Sequence, residues 1–245
     1  MRRLSIVASP LIILGILGSS ALLGYALTRP PAPKAIVVIP EGATVYDINK
    51  ILREKGVLTE EQESLPESLE GYLFPDTYEF FVPSGLETVE SKFEENFNRK
   101  VRTVMPERLR EEDLKEILTK ASLVEKEVPE SAERRVVVDI MMKRLKNNVP
   151  LQMDASICYF KKESSCLPIT GSDKNTDSPF NTYRYRGLPP HPIGNPGVDA
   201  IFAVMNPTET PYWFYLSDPE TKKTVFSKTL DEHNNNIVKY LNATN

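Results

Sequence analysis

The apolar positions fall into stretches of different period. The first, Leu4 to Leu27, is a 24-residue run without a charged side chain. About 20 apolar residues span a bilayer as a helix. Arg2 and Arg3 precede it, so the positive-inside rule places the N-terminus in the cytoplasm and the rest of the chain outside. Gly24-Tyr25-Ala26 could serve as a signal-peptidase site, but the run is long for a cleaved signal, so an uncleaved anchor is expected. Arg29 to Lys34 holds three prolines in six residues and reads as a stiff spacer. Residues 1–28 are thus a cytoplasmic tip and transmembrane helix, and 29–34 a linker.

Beyond the spacer the pattern alternates between strand and helix signals. The β-branched run Ala35–Ile39 predicts a strand. Thr44 with Asp47 nearly matches a capping box and opens a helix with Val45, Ile48, Ile51 and Leu52 on one face, which Gly56 ends. This strand–helix piece is too small to hold a core alone and must pack on something else. Helical spacing recurs over 86–104, 111–128 and 132–146. In the second of these Leu114, Ile117, Leu118, Ala121 and Val124 mark the buried face, and Pro129 is expected to stop or kink it. The third carries Arg134, Arg135, Lys143, Arg144 and Lys146 away from its apolar face, which predicts a solvated basic side. Residues 150–196 read as one long loop, and long loops in folded bodies usually carry function. A short helix at 198–205, strands at 212–216 and 224–227, and a helix capped by Thr229 with Glu232 complete the pattern. Helices and short strands without βαβ alternation make an α+β fold.

Composition narrows the chemistry. The net charge of −4 argues against nucleic acid as a partner. Two cysteines and two histidines, without ligand spacing, predict no metal and no cofactor. Cys158 and Cys166 could staple a loop in an oxidising compartment or stand as two thiols. His233 on the last helix reads as a buried, hydrogen-bonded structural residue.

The second long helix ends in Glu125-Lys126-Glu127. A carboxyl at a helix C-terminus faces the negative end of the helix dipole, which raises its pKa toward the value a general acid needs. The helical wheel puts Glu125 on the apolar face and Glu127 on its flank. The plainer reading pairs Glu125 with an arginine of the next helix and leaves Glu127 at the surface. Gln152, Asp154, Asn181 and Tyr183 gather amide, carboxyl and phenol groups in the long loop. They suit either sugar binding or bracing of the loop itself.

Several strings resemble the endolytic murein transglycosylases, the MltG or YceG-like family: EGYLFPDTYEF (70–80), ASLVEKEV (121–128), MMKRLKNNVPLQMDAS (141–156), the stretch from Ser178 to Leu216, and FSKTLDEHNNNI (226–237). The resemblance implies a YceG-like catalytic domain over 67–245 and a shortened LysM-like unit with its connector over 35–66. It implies a single-pass protein of a bacterial inner membrane with its catalytic domain outside the cytoplasm. The partners implied are peptidoglycan glycan strands, with cell-wall synthesis proteins as further candidates. The activity implied is internal, water-free cleavage between N-acetylmuramic acid and N-acetylglucosamine, leaving 1,6-anhydro ends. One carboxyl serves as acid and then as base, matching Glu127, with Glu125 as second candidate or support. Tyr72, Asp76, Tyr78, Gln152, Asp154, Asn181 and Tyr183 are the implied substrate contacts. Many lytic transglycosylases place Ser or Thr after the glutamate, whereas Val128 stands here. Two other classes remain open: a hydrolytic muramidase with Asp154 as second carboxylate, and a non-catalytic, membrane-anchored scaffold that binds peptidoglycan.

Overall fold

The structure, a computed structural model, describes residues 32–106, 109–128, 130–161, 168–221 and 223–241. The expected membrane helix Leu4–Leu27, Pro129 and Cys166 lie outside these residues. Among the described residues no helix is long and apolar enough to cross a membrane. The chain divides into units Met1–Lys34 and Ala35–Asn245, and the second is described below.

Its elements are mixed α+β. In order they are β1 (Lys34–Val38), α1 (Val45–Glu54), a 3-10 turn (Glu67–Leu69), β2 (Thr77–Phe81), α2 (Leu86–Val101), α3 (Glu111–Glu127) and α4 (Ser131–Lys146). Then come α5 (Asp154–Lys161), α6 (Gly171–Asn175), α7 (Val198–Met205), β3 (Phe214–Ser217), β4 (Thr224–Ser227) and α8 (Leu230–Tyr240). Strand β1 pairs with β2, and β3 pairs antiparallel with β4.

Two apolar clusters organise the unit. In the first, Val37, Ile48 and Leu52 of β1 and α1 meet Tyr78 and Phe80 of β2 and Val89 and Phe93 of α2. The strand–helix piece therefore closes its core with residues that follow it, as its small size requires. The capping box at Thr44 is present, and Gly56 takes a positive φ of 68° just past the C-cap of α1. The second cluster surrounds α3. Leu118 to Val124 are buried without a break, because α4, α5 and α7 all pack on this helix. Its interior hydroxyls are satisfied: Thr119 donates to Lys115 O at 2.7 Å, and Ser122 donates to Thr119 O and accepts from Ile193 N.

Several elements depart from the expectation. Strand β2 follows a period-2 pattern, Tyr78 and Phe80 inward and Thr77, Glu79 and Phe81 outward, inside a segment dominated by its aromatics. The long loop holds two short helices: α5, with Ala155, Ser156 and Ile157 buried, and α6, opened by a capping box from Thr170 to Asp173. At α8, Thr229 accepts from Glu232 N, but the Glu232 carboxylate turns to Lys228 N, so the expected box is half formed. The basic side of α4 is not uniformly solvated, since Arg134 and Arg144 are buried and each has carbonyl or carboxylate partners.

The clusters are joined by one buried amide. Asn195 Oδ1 accepts from Gly71 N and Leu73 N at 2.9 and 2.8 Å, and its Nδ2 donates to Ala43 O and Glu70 Oε1. Replacing Asn195 with Ala leaves these groups in the interior without partners, at about 1–3 kcal/mol each. The expected loss is on the order of 4 kcal/mol, or about 10 °C in Tm. A denaturant titration showing less than about 1 kcal/mol of loss contradicts this assignment.

Candidate active site

A long cleft of about 1960 Å³ crosses the unit. Its lining runs from Tyr46 and Lys50 on α1, past Glu70, Glu125, Lys126 and Glu127, to Tyr215 on β3 and Leu230 and Ile237 on α8. Small-molecule pockets are usually about 300–1,000 Å³, so this volume and open form suit a polymer.

The two glutamates of the α3 terminus meet different surroundings. Glu125 pairs with the buried Arg134 at 2.6 Å and accepts from Gly197 N at 3.0 Å. Arg134 starts one helix later, so the plainer expectation for Glu125 is what forms. Burial raises the Glu125 pKa, while the Gly197 bond and the Arg134 charge oppose the rise. Among the described residues Glu127 has no ion pair at contact distance. Its Oε1 accepts from Ala155 N at 3.3 Å, and its Oε2 accepts from the Tyr215 hydroxyl at 3.0 Å. Burial pushes its pKa up to about 7, against the pull of the Tyr215 and Ala155 bonds, with Asp154 raising it further. A carboxyl divided between both protonation states near neutrality can give a proton and take it back.

Tyr215 and Arg144 complete the surroundings of Glu127. Burial and the Glu127 charge raise the Tyr215 phenol well above its usual value, so it remains a donor. Arg144 donates to Trp213 O and Leu151 O at 2.9 and 2.7 Å, which ties α4 to β3 and to the start of the former loop. Across the cleft, Glu70 is only 3% exposed. It accepts from Val45 N at the start of α1, from Asn195 Nδ2 and from the Tyr159 hydroxyl. Burial raises it to about 7 as well.

The expected contacts separate into two groups. Gln152, Asp154 and Tyr183 line the cleft near Glu127, and the Tyr183 hydroxyl donates to Asp154. Tyr72, Asp76 and Tyr78 do not line it. Tyr78 stacks with Phe80, meets Phe93 at a tilt and donates to Phe74 O, Asp76 pairs with Lys100 at 3.0 Å, and Tyr72 packs on Phe97. Asn181 is fully buried, with Nδ2 on the carbonyls of Lys174 and Thr176 and Oδ1 on Tyr183 N. It braces the loop that presents Tyr183. His233 is half-buried against Phe214, and its Nδ1 is enclosed without a hydrogen-bond partner among the described residues, unlike the expected bonded histidine.

Tyr215, Arg144 and Glu70 were not among the expected site residues. The strand alternation of 213–216 could mark Tyr215 as sharing a face with Trp213, but not that this face meets α3. Cys158 lines the cleft and is disulfide-bonded. No cluster of metal-ligating side chains occurs among the described residues.

Fold and site together define an α+β protein with an open, polymer-sized cleft, lined by two carboxyls of raised pKa, Glu127 at a helix end and Glu70 across from it. Residues 19–239 match the YceG-like family, and the chain belongs to it. It is 35% identical over 75% of its length to the endolytic murein transglycosylase of Bacillus subtilis, and 30% identical over 71% of its length to that of Streptococcus pneumoniae. It spans about half of the former and a third of the latter. The crystal structure of a YceG-like protein from Listeria monocytogenes superposes with a TM-score of 0.71 at 26% identity, covering 89% of this chain and 80% of that one.

Removing the Arg134 partner leaves the enclosed Glu125 charge unpaired. Arg134→Met is expected to cost about 3–5 kcal/mol, and adding Glu125→Gln to recover much of it. Chemical denaturation of the single and double variants measures the recovery, and additive losses would contradict the pairing.

Proposed function

We propose that this protein cuts peptidoglycan glycan strands internally between N-acetylmuramic acid and N-acetylglucosamine, as a lytic transglycosylase. The observation that carries the reading is Glu127: a carboxyl poised near pH 7 in an open, polymer-sized cleft. The names of the Bacillus and Streptococcus relatives support the substrate and the reaction class.

In this reading the protonated Glu127 delivers its proton to the glycosidic oxygen as the bond to the muramoyl anomeric carbon breaks. The resulting carboxylate then takes the proton of the muramoyl C6 hydroxyl, whose oxygen closes the 1,6-anhydro ring. The proton count balances and no water enters. Tyr215 and Ala155 N hold the carboxylate during the interval in which it is charged. Gln152, Asp154 and Tyr183 form the wall that orients the sugar, and orientation supplies much of the rate. The uncleaved anchor at 4–27 would hold the cleft on the outer side of the membrane.

A hydrolytic muramidase is the second reading, and Asp154 favours it. This carboxyl stands close enough to raise the Glu127 pKa and could activate a water. Mass spectrometry of the released fragments separates the two readings: anhydro ends identify the lytic route, and reducing ends the hydrolytic one.

Three outcomes are expected. Glu127→Gln loses at least about a thousandfold in kcat, because an amide cannot exchange the proton, while Glu125→Gln retains measurable turnover. A dead Glu125 variant beside an active Glu127 variant would reverse the assignment. Second, kcat/KM falls as pH rises through about 7, the value for the Glu127 acid. In Tyr215→Phe this alkaline limb moves to higher pH, because the lost hydrogen bond favoured the carboxylate; an unmoved limb would contradict the contact. Third, a raised carboxyl pKa penalises the folded state once the group ionises. That penalty is absent below the unfolded value near 4.5, grows between 4.5 and about 7, and is complete above 7. Glu127→Gln is therefore expected to be more stable than the wild type at pH 8, by about 1–3 kcal/mol. The two should converge at pH 4, and equal melting at both pH values would show that the carboxyl is not perturbed.

A further inference from the structure

The cleft continues past Glu127 to a wall that the acid chemistry does not use. Helix α8 has no buried residue, although its apolar line Leu230, Ile237 and Leu241 faces the cleft. Leu230 and Leu241 are 55% and 41% exposed. The line falls at i, i+7 and i+11, one face of a helix. His233 lies on the same face, against Phe214 of β3, with Nδ1 unpartnered. Strand β3 has β4 as its only strand neighbour among the described residues. On that strand's approach Trp213 O is already taken by Arg144.

A bare glycan is a poor match for this end of the cleft. Its faces stack on aromatics and its hydroxyls need polar partners, whereas α8 offers aliphatic side chains. A short peptide fits better, with small apolar side chains for Leu230 and Leu241. In peptidoglycan such a peptide is carried on the lactyl group of the muramoyl sugar, the sugar whose anomeric carbon must sit beside Glu127. Wall and acid share one cleft, which Glu127, Phe214, Leu230 and Leu241 all line.

We propose that the α8 wall, with β3, binds the stem peptide of the muramoyl residue being cleaved, so that the protein selects peptide-bearing strands over denuded ones. This rests on the lytic reading of the cleft given above. A gained or lost apolar contact is worth roughly 10–200-fold in kcat/KM.

The test compares full-length protein in detergent on two substrates, glycan strands with intact stem peptides and the same strands stripped by an amidase. The wild type is expected to show a kcat/KM ratio of at least about tenfold in favour of peptide-bearing strands. The double variant Leu230→Ser, Leu241→Ser should bring the ratio close to one. Both side chains are exposed, so folding is not at stake, and a melting curve checks it. Val238→Ser, on the same helix and 63% exposed but not lining the cleft, should keep the wild-type ratio. A wild-type ratio near one, or an unchanged ratio in the double variant, would overturn the proposal while leaving the lytic reading in place. Wild-type protein inert on both substrates would overturn both.

Discussion

The structure depends on one constraint: a polar chain segment must pass through the interior where the two apolar clusters meet. Ile193 to Gly197 is that segment, and all five residues are buried. Buried main-chain groups need partners, and these come from α3 and from the turn before α1. Ile193 N donates to Ser122 on α3, the Asn195 main chain exchanges two bonds with Gly42 and Ala43, and Gly197 N donates to Glu125. The Asn195 side chain then takes Gly71, Leu73 and Glu70. Gly194 is required by space: a Cβ there would stand 2.6 Å from Gly42 O, whereas one at Gly197 would meet only the Glu41 side chain, which can turn away. The same bonds that satisfy the segment fix the α1 side of the cleft against the end of α3.

That arrangement explains how neighbouring glutamates acquire different chemistry. The two stand two residues apart, so they point to different sides of α3. Glu125 faces the buried segment and the next helix, where Gly197 N and Arg134 commit it to a charged pair. Such a pair is costly to break and of little use for proton transfer. Glu127 faces the cleft, where its partners are a phenol and a main-chain amide, both donors that accept either protonation state with small adjustment. Separation of acid roles by surroundings needs no difference in residue type. Glu70 illustrates the other extreme: it has donors from Val45, Asn195 and Tyr159, and its place at the start of α1 makes it a long-range cap for that helix.

Much of this was legible along the chain, and the rest failed for physical reasons. Helix α1 could be placed because its capping box and one buried face agree with the tertiary structure, and α3 because its 3.6 spacing alone marks the buried face. The two glutamates could be located at the helix end, but the raised Glu127 pKa comes first from burial, which other elements supply, and not from the dipole argued along the chain. What could not be read was which donors converge from elsewhere. Tyr215 lies 88 residues from Glu127, and Asn195 more than 120 from Gly71 and Leu73. No local rule ties such positions. The expectation of a solvated basic side on α4 failed because Arg134 and Arg144 each reach several acceptors from other elements, and a buried guanidinium with full hydrogen bonding resembles a surface one in sequence. Tyr72 and Tyr78 illustrate the converse: an aromatic next to turn residues can be sugar platform or core, and here the neighbours Phe93 and Phe97 on α2 draw them into packing.

The make-up of the cleft bears on why a single carboxyl could suffice. A hydrolase must hold a water and a second base at a fixed distance from the acid. In the proposed reaction the substrate brings its own nucleophile, the C6 hydroxyl, so the protein's task shifts from activating water to holding a flexible polymer in one conformation. Positioning over several sugars needs length and contact area, which an open cleft from α1 to α8 provides. It also tolerates aliphatic surface near the acid, since no ordered water network has to be maintained there. In that proposed reaction the partial burial of Glu127 would serve a pKa near neutrality, at the cost of an ionised carboxylate that the folded state accommodates poorly. Tyr215 moderates that cost by donating to the charged form. A stronger partner such as the arginine beside Glu125 would remove the cost and the reactivity together.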